Sequence, residues 1–109
     1  MTTIRKNGQC LTEFPKEVLE NNSIQPIMLT LDDNAITSIP DSISMLNQLT
    51  NLSLSKNKLT TLPKGMFMLT GLFKLNVSCN ELMELPVELR NLGKLTELNI
   101  CANKFQKLP

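Results

Sequence analysis

The carboxylates and thiols are the side chains of this sequence that could do chemistry, because histidine, tryptophan and tyrosine are all missing. Without histidine the chain lacks the commonest general base and metal ligand. Asp32 and Asp33 are adjacent, and carboxylate catalysis needs two acids on one surface. Neighbouring residues of a strand point to opposite faces. We therefore interpret Asp32 and Asp33 as a solvated pair rather than a catalytic one.

The glycines and cysteines add no catalytic motif. The four glycines, at positions 8, 65, 71 and 93, lack the spacing that cradles a phosphate. Cys79 and Cys101 are expected about 6 Å apart along adjacent strands, which permits a disulfide. Because neighbouring strand positions face alternate sides, we predict instead two free thiols at the solvent edge, and Cys10 has no partner. The sequence predicts no catalysis, no metal and no cofactor.

Length and composition bound the classes of function. A chain of 109 residues is at most one domain. With 11 basic and 10 acidic residues its net charge is +1, which favours neither nucleic acid nor an anionic membrane. No stretch resembles a spanning helix, and the start, MTTIRKNGQC, lacks the apolar core of a signal peptide. An odd count of three cysteines favours a reducing compartment, so we expect a cytoplasmic protein.

A period of 23 residues organises the chain. Its unit is L-x-x-L-x-L-x-x-N-x-L-x-x-L-P-x-x-Φ-x-x-L, where Φ is apolar. One member of the unit is an asparagine that recurs at Asn34, Asn57, Asn80 and Asn103. Leucine recurs at the same step in a second column, Leu29, Leu52, Leu75 and Leu98. Prolines follow at Pro40, Pro63, Pro86 and Pro109. Four copies of one pattern predict a stack of similar structural units.

Each unit has a predicted strand, a turn and a return leg. Leu52 and Leu54 are two residues apart, so they share the inward face of a strand. The asparagine that follows has donors and an acceptor for turn backbone in its own and the adjacent unit, which predicts a structural ladder of the four asparagines. Proline fixes φ and suits the first turn of a helix, so Pro63 should open a short helical or 3₁₀ leg. At least about three stacked units are needed to bury the core.

The unit resembles the leucine-rich repeat family, whose signature is the same L-x-x-L-x-L-x-x-N run. Its length and Leu-Pro pair resemble the intracellular subclass that includes Ras-scaffold, Ras-suppressor and Scribble-type proteins. The resemblance implies an α/β solenoid with a short parallel sheet on the concave side and helical, 3₁₀ or irregular legs on the convex side. It also implies a protein partner bound through the concave face.

The pattern predicts an N-terminal cap over residues 1–23 and repeats at 24–46, 47–69, 70–92 and 93–109, the last incomplete. The cap contains a degenerate first repeat, because Leu11 and Phe14 parallel Ile36 and Ile39 at an offset of 25. We place the two extra residues near Glu20 to Ser23 and a poorly matched strand at Ile4. After Pro109 no polar helix covers the last strand, which predicts self-association through this end, an excerpt of a longer array, or a frayed end.

The outward strand positions form the predicted binding surface. Phe73 is the candidate anchor, because its column otherwise holds Ile27, Thr50 and Thr96. A second apolar group, Met45, Phe67 and Met68, either marks an interaction patch or folds over the gap between units. The predicted partner-binding residues are Met28, Thr30, Asp32, Asn51, Ser53, Ser55, Phe73, Lys74, Asn76, Ser78, Glu97, Asn99 and Cys101.

Three functions fit these features. The first is a protein–protein interaction module, as scaffold or adaptor. The second is a regulatory subunit of an enzyme such as a phosphatase or ligase. The third is a structural, self-assembling or truncated repeat fragment.

Overall fold

A computed structural model describes residues 3–20 and 25–105 of the chain. It contains a five-stranded parallel sheet in which the strands lie side by side in chain order. The strands are β1 Thr3–Arg5, β2 Met28–Thr30, β3 Asn51–Ser53, β4 Lys74–Asn76 and β5 Glu97–Asn99. From β2 to β5 each residue pairs with the residue 23 positions later, as in Leu29 with Leu52. The sequence period is therefore the register of the sheet.

The return legs are short and stack on the opposite side of the core. Helix α1, Lys16–Glu20, is followed by three 3₁₀ turns at Asp41–Met45, Lys64–Met68 and Val87–Asn91. Each 3₁₀ turn is preceded by an extended proline: Pro40, Pro63 or Pro86, all with φ between −70° and −73°. Proline is suited to this place because its φ is already fixed and its missing N–H is not needed there. No helix among the described residues is long and apolar enough to cross a membrane.

The segment predicted to be the N-terminal cap contains one strand, β1, in addition to the four full strands of the repeat pattern. Ile4 lies at the centre of β1 and pairs with Leu29, an offset of 25 residues. Leu11 accepts a hydrogen bond from Ala35, as Ile36 does from Lys58 one repeat later. The cap thus keeps the hydrogen bonding of a repeat while its sequence departs from the motif. The predicted loop residues Asn21 to Ser23, and Leu108 and Pro109 of the last repeat, lie outside the described residues.

The inward leucines form one continuous core. Leu52 and Leu54 are 1% and 0% exposed, as the alternation of the strand predicts. Phe67 is also buried and belongs to this core, whereas Met45 and Met68 stay exposed. The ring of Phe67 therefore fills the interior, and the alternative of an exposed aromatic patch on the return legs is wrong.

The four repeat asparagines form a ladder of hydrogen bonds between adjacent repeats. Asn57 is buried; its Nδ2 donates to the carbonyls of Leu31, Leu54 and Ser55 at 3.0–3.2 Å, and its Oδ1 accepts from the backbone N–H of Ile36. Asn80 and Asn103 repeat this set one and two units later. Asn34 makes the corresponding bonds to Lys6 and Leu11 of the cap and to Leu31 and Asp32 of its own turn. Each asparagine side chain thus forms hydrogen bonds to backbone N–H and carbonyl groups of the turns, which the side chains of the neighbouring leucines cannot do.

The residue before each asparagine has a left-handed backbone. Asp33, Lys56, Cys79 and Ala102 have φ of 55–58°, and Gly8 holds the corresponding position of the cap at 62°. Glycine adopts this conformation without strain, whereas a residue with a Cβ pays a steric cost. The turn geometry is therefore repeated even where the sequence does not favour it.

The 3₁₀ turns of the first two repeats approach closely at Gly65. The Gly65 N–H donates to Asp41 Oδ1 at 3.2 Å. A Cβ at Gly65 would collide with the backbone carbonyl of Asp41, whereas a Cβ at Gly93 would meet no atom within 4 Å. The absent side chain at position 65 thus allows these two legs to pack.

Candidate functional site

A shallow groove crosses the exposed face of β2 to β5. Its volume is about 580 Å³, and its lining includes Leu52, Leu75 and Leu98, the central residues of β3, β4 and β5. Eight of the predicted partner-binding residues line it, in two columns: Met28, Asn51, Lys74 and Glu97, and Thr30, Ser53, Asn76 and Asn99. Thr96 also lines the groove. The groove arises because an exact register places equivalent outward side chains of four strands beside one another.

The third predicted column does not line this groove. Ser55 and Ser78 are only 9% and 8% exposed, so the prediction that they lie open to a partner is wrong. The chain is already turning at these positions. The Ser55 N–H donates to Asp32 Oδ1 at 2.9 Å, and Ser78 Oγ donates to Asn76 Oδ1 at 2.7 Å. Both serines are therefore used to hold the turn.

Asp32, Cys101 and Phe73 also lie outside the groove lining. Asp32 accepts a second hydrogen bond from Ser53 Oγ at 2.6 Å, which makes it a structural acceptor at the strand end. Asp33 is in the left-handed turn and exposed. Phe73 keeps 37% exposure at the entrance to β4. The anchor predicted at Phe73 is therefore beside the groove rather than in it.

The charges of the groove are paired. Lys74 Nζ lies 3.7 Å from Glu97 Oε2, and the same ammonium is 5.8 Å from the centroid of the Phe73 ring. Both charged side chains are largely exposed, so the pair is screened by water and can be exchanged for a partner's charges at little cost. This arrangement favours a polar ligand without a strong net charge.

Two buried polar atoms in the groove have no hydrogen-bond partner among the described residues. They are Thr30 Oγ1 and Asn51 Oδ1, on the adjacent strands β2 and β3. Thr30 is 7% exposed. Buried polar groups are nearly always satisfied in folded proteins. The sequence predicted both residues as members of the outward columns. It did not predict that their oxygens lack a hydrogen-bond partner, since this depends on how the neighbouring side chains pack around them.

The thiols stay free, and no metal centre is assembled among the described residues. Cys10, Cys79 and Cys101 are all exposed and unbonded. Within 3–20 and 25–105 no three histidine, cysteine or acidic side chains gather in a group that could hold a metal ion. Glu17 in α1 lies outside the groove lining. A hydrogen bond from its own backbone N–H, and after it Lys6 at 3.4 Å, lower the pKa of this carboxyl.

The stacked parallel strands, the proline-led 3₁₀ legs and the asparagine ladder define a leucine-rich repeat solenoid. The leucine rich repeat family model matches residues 28–68 and 47–105 of the chain. These matches cover well over half of the sequence, so the chain belongs to the leucine-rich repeat family. Domains of this family generally mediate protein–protein interaction.

Solved structures share this fold. A leucine-rich repeat protein of Leptospira interrogans is 41% identical, with a TM-score of 0.81 over 91% of this chain and 25% of its own. The leucine-rich repeat domain of the type III effector XopL is 25% identical, with a TM-score of 0.84 over 98% of this chain and 38% of its own.

A chain of the BIR3–SERK2 complex from Arabidopsis thaliana is 30% identical, with a TM-score of 0.75 over 94% of this chain and 54% of its own. The chain thus spans between a quarter and about half of these three proteins. The comparison with proteins of curated function finds no match.

Proposed function

We propose that the chain is a protein-interaction module, a scaffold or adaptor, that binds a segment of a protein partner in the groove over β2 to β5. The observation that carries this proposal is the groove itself, in which the register of the sheet aligns two columns of outward side chains from four strands. Polar side chains of these columns, such as Ser53 and Asn76, offer donors and acceptors to the backbone of an extended segment.

The rest of the groove supports a ligand of this kind. Its lining combines the apolar Met28 with small polar side chains such as Ser53 and Asn76. Large aromatic or arginine anchors are missing from this lining, and such anchors usually dominate tight interfaces. We therefore expect moderate affinity, with orientation set by hydrogen bonds. We expect binding without turnover, and the pairing of the two charged side chains of this lining, Glu97 and Lys74, supports this.

Two matched charge reversals test the proposal. Lys74→Glu places a second carboxylate beside Glu97 in the groove, whereas Lys58→Glu makes the same change at an exposed position outside it. The wild-type chain and both variants are immobilised, and proteins captured from lysate of the source organism are identified by mass spectrometry. A purified candidate is then titrated against each chain by calorimetry.

We expect Lys74→Glu to weaken the interaction at least about tenfold, and Lys58→Glu to leave it unchanged. Equal thermal stability of the two variants would show that folding is not the cause. A partner that binds wild type and Lys74→Glu equally, with contacts mapped to the 3₁₀ legs, would overturn the groove as the binding site.

We also propose that the protein works in the cytoplasm and belongs to the intracellular 23-residue subclass of the family. The Leu-Pro pair of each repeat and the three exposed, unbonded thiols support this, because free thiols persist in a reducing compartment. Fractionation of cells followed by thiol alkylation would test it.

Self-association through the C-terminal repeat is a further part of the proposal. β5 is exposed along its length, and Leu98 retains 38% exposure. An exposed strand can template pairing with another chain. Light scattering over a range of concentrations distinguishes a stable monomer from a growing assembly.

A further inference from the structure

Cys79 and Cys101 are neighbours along the backbone ladder just after β4 and β5. The Cys79 N–H donates to the carbonyl oxygen of Cys101 at 2.9 Å. Residues bonded in this way across parallel strands are diagonal neighbours, so their Cα atoms are about 6 Å apart. This separation falls inside the range of about 4.4–6.8 Å that disulfides span. The two backbones thus need no large movement for the sulfurs to meet.

Cys79 lies in the left-handed turn, and the side chains of both cysteines are exposed. Cys79 has φ of 56°, so the strict alternation of a strand ends before it. Ser78 and Asn80, which flank it, are buried, and Cys79 itself is exposed. Cys101 is also exposed. The alternate facing on which the sequence prediction of a poor pairing depended requires regular strand geometry, which ends before Cys79.

We propose that Cys79 and Cys101 form a redox-modification site, which closes to an intramolecular disulfide when it reacts with a small disulfide oxidant such as oxidised glutathione. One cysteine thiolate attacks a sulfur of the oxidant, whose S–S bond breaks and releases one glutathione thiolate. The second cysteine thiolate then attacks the protein sulfur of this mixed disulfide and releases the other glutathione. The two thiols lose two electrons and two protons; the oxidant gains both and leaves as two thiols.

Closure would join repeat 3 covalently to repeat 4 beside the asparagine ladder. Asn103 already links these repeats, since its Nδ2 donates to the carbonyls of Val77 and Cys101. The disulfide would add a ring that spans one full repeat of the solenoid. A cross-link of this kind restricts the unfolded chain and so resists separation of the last repeat.

Cys10 is the matched control, because it is exposed and free like the other two. It follows β1, which is separated from β4 by β2 and β3 in the sheet. Cys10 can therefore form a mixed disulfide with glutathione but cannot close onto Cys79 or Cys101 within the folded chain. The reaction of Cys10 with oxidised glutathione therefore shows how an exposed thiol behaves when no second thiol lies beside it.

The experiment incubates the full chain with oxidised glutathione and follows it by intact mass and by peptide mapping without reduction. In the wild type and in Cys10→Ser, we expect the mass to fall by two hydrogen atoms at this site, with a linked peptide pair that contains residues 79 and 101. Cys79→Ser and Cys101→Ser should each retain a glutathione adduct at the surviving thiol. The oxidised wild type should melt at a higher temperature than the reduced one, and Cys79→Ser should show no such gain.

Three results would overturn the proposal. The first is a stable glutathione adduct on each of Cys79 and Cys101 in the same chain. The second is a lack of reaction at both thiols while Cys10 is fully modified. The third is a disulfide that joins two chains as the main product at low protein concentration.

Discussion

The second and fourth repeats contain the same motif but differ in how completely they are buried. Leu52 and Leu98 hold the same position of β3 and β5, yet they are 1% and 38% exposed. Asn57 is buried, and Asn103 is only half-buried. β3 lies between β2 and β4, whereas among the described residues β5 pairs with β4 alone. The contribution of a motif residue to stability therefore depends on whether repeats pack against it from both sides, rather than on its match with the consensus.

Truncation of the equivalent leucines should give the largest contrast. We expect Leu52→Ala to lower the free energy of unfolding by about 2–5 kcal/mol, because it opens a cavity between two packed repeats. Leu98→Ala should cost about 1 kcal/mol, since part of its surface is already in water. Urea denaturation followed by circular dichroism measures both. Equal losses for the two variants would mean that β5 is as well covered in solution as β3.

The asparagine ladder should show the same contrast at a smaller scale. Asn57→Ala leaves the Ile36 N–H without an acceptor in a buried turn and removes one of two donors to the carbonyls of Leu31, Leu54 and Ser55. We expect a loss of about 3 kcal/mol, since an unpaired buried N–H costs about 1–3 kcal/mol and the lost carbonyl bonds add to it. Asn103→Ala makes the same change where water can replace the amide, so its cost should be less than half. Hydrogen exchange at Ile36 and Leu82 reports each bond separately, and an unchanged rate at Ile36 would contradict the ladder.

The close approach of the 3₁₀ turns gives the smallest effect. Gly65→Ala forces its Cβ against the Asp41 carbonyl, so the two legs must separate, and we expect a cost of about 1–3 kcal/mol. Gly93→Ala is the matched control, because its Cβ would meet open space. It should be neutral or stabilise the fold by less than about 1 kcal/mol. The melting temperatures of the two variants compare these effects, and a neutral Gly65→Ala would show that the legs pack more loosely.

Most of the fold follows from the sequence period. A step of 23 residues places Leu29, Leu52 and Leu75 in one buried column, and the sheet uses this same step as its register. The pattern was weaker at the cap, where β1 keeps the hydrogen bonds of a repeat although Ile4 matches the motif poorly. Periodicity did not determine the position of Phe67, whose ring could face outward or inward, and in the structure this ring is buried.

The candidate site could be predicted only in part. Alternation along the strands placed the columns of Asn51 and Ser53 in the groove. It failed at Ser55 and Ser78, because the turn begins there and the side chains bond to neighbouring groups. The unpartnered oxygens of Thr30 and Asn51 depend on three-dimensional closure by residues of other strands. No linear pattern contains that information, so the chemistry of the groove needed the structure.

The left-handed residue that precedes each asparagine has a consequence for how such arrays evolve. Lys56, Cys79 and Ala102 each adopt this conformation without the tolerance of glycine, at a cost of roughly 1 kcal/mol apiece. Duplication of a unit copies this penalty together with the leucines that outweigh it. Lengthening the array therefore brings a net gain only as long as every new copy finds a neighbour to stack against.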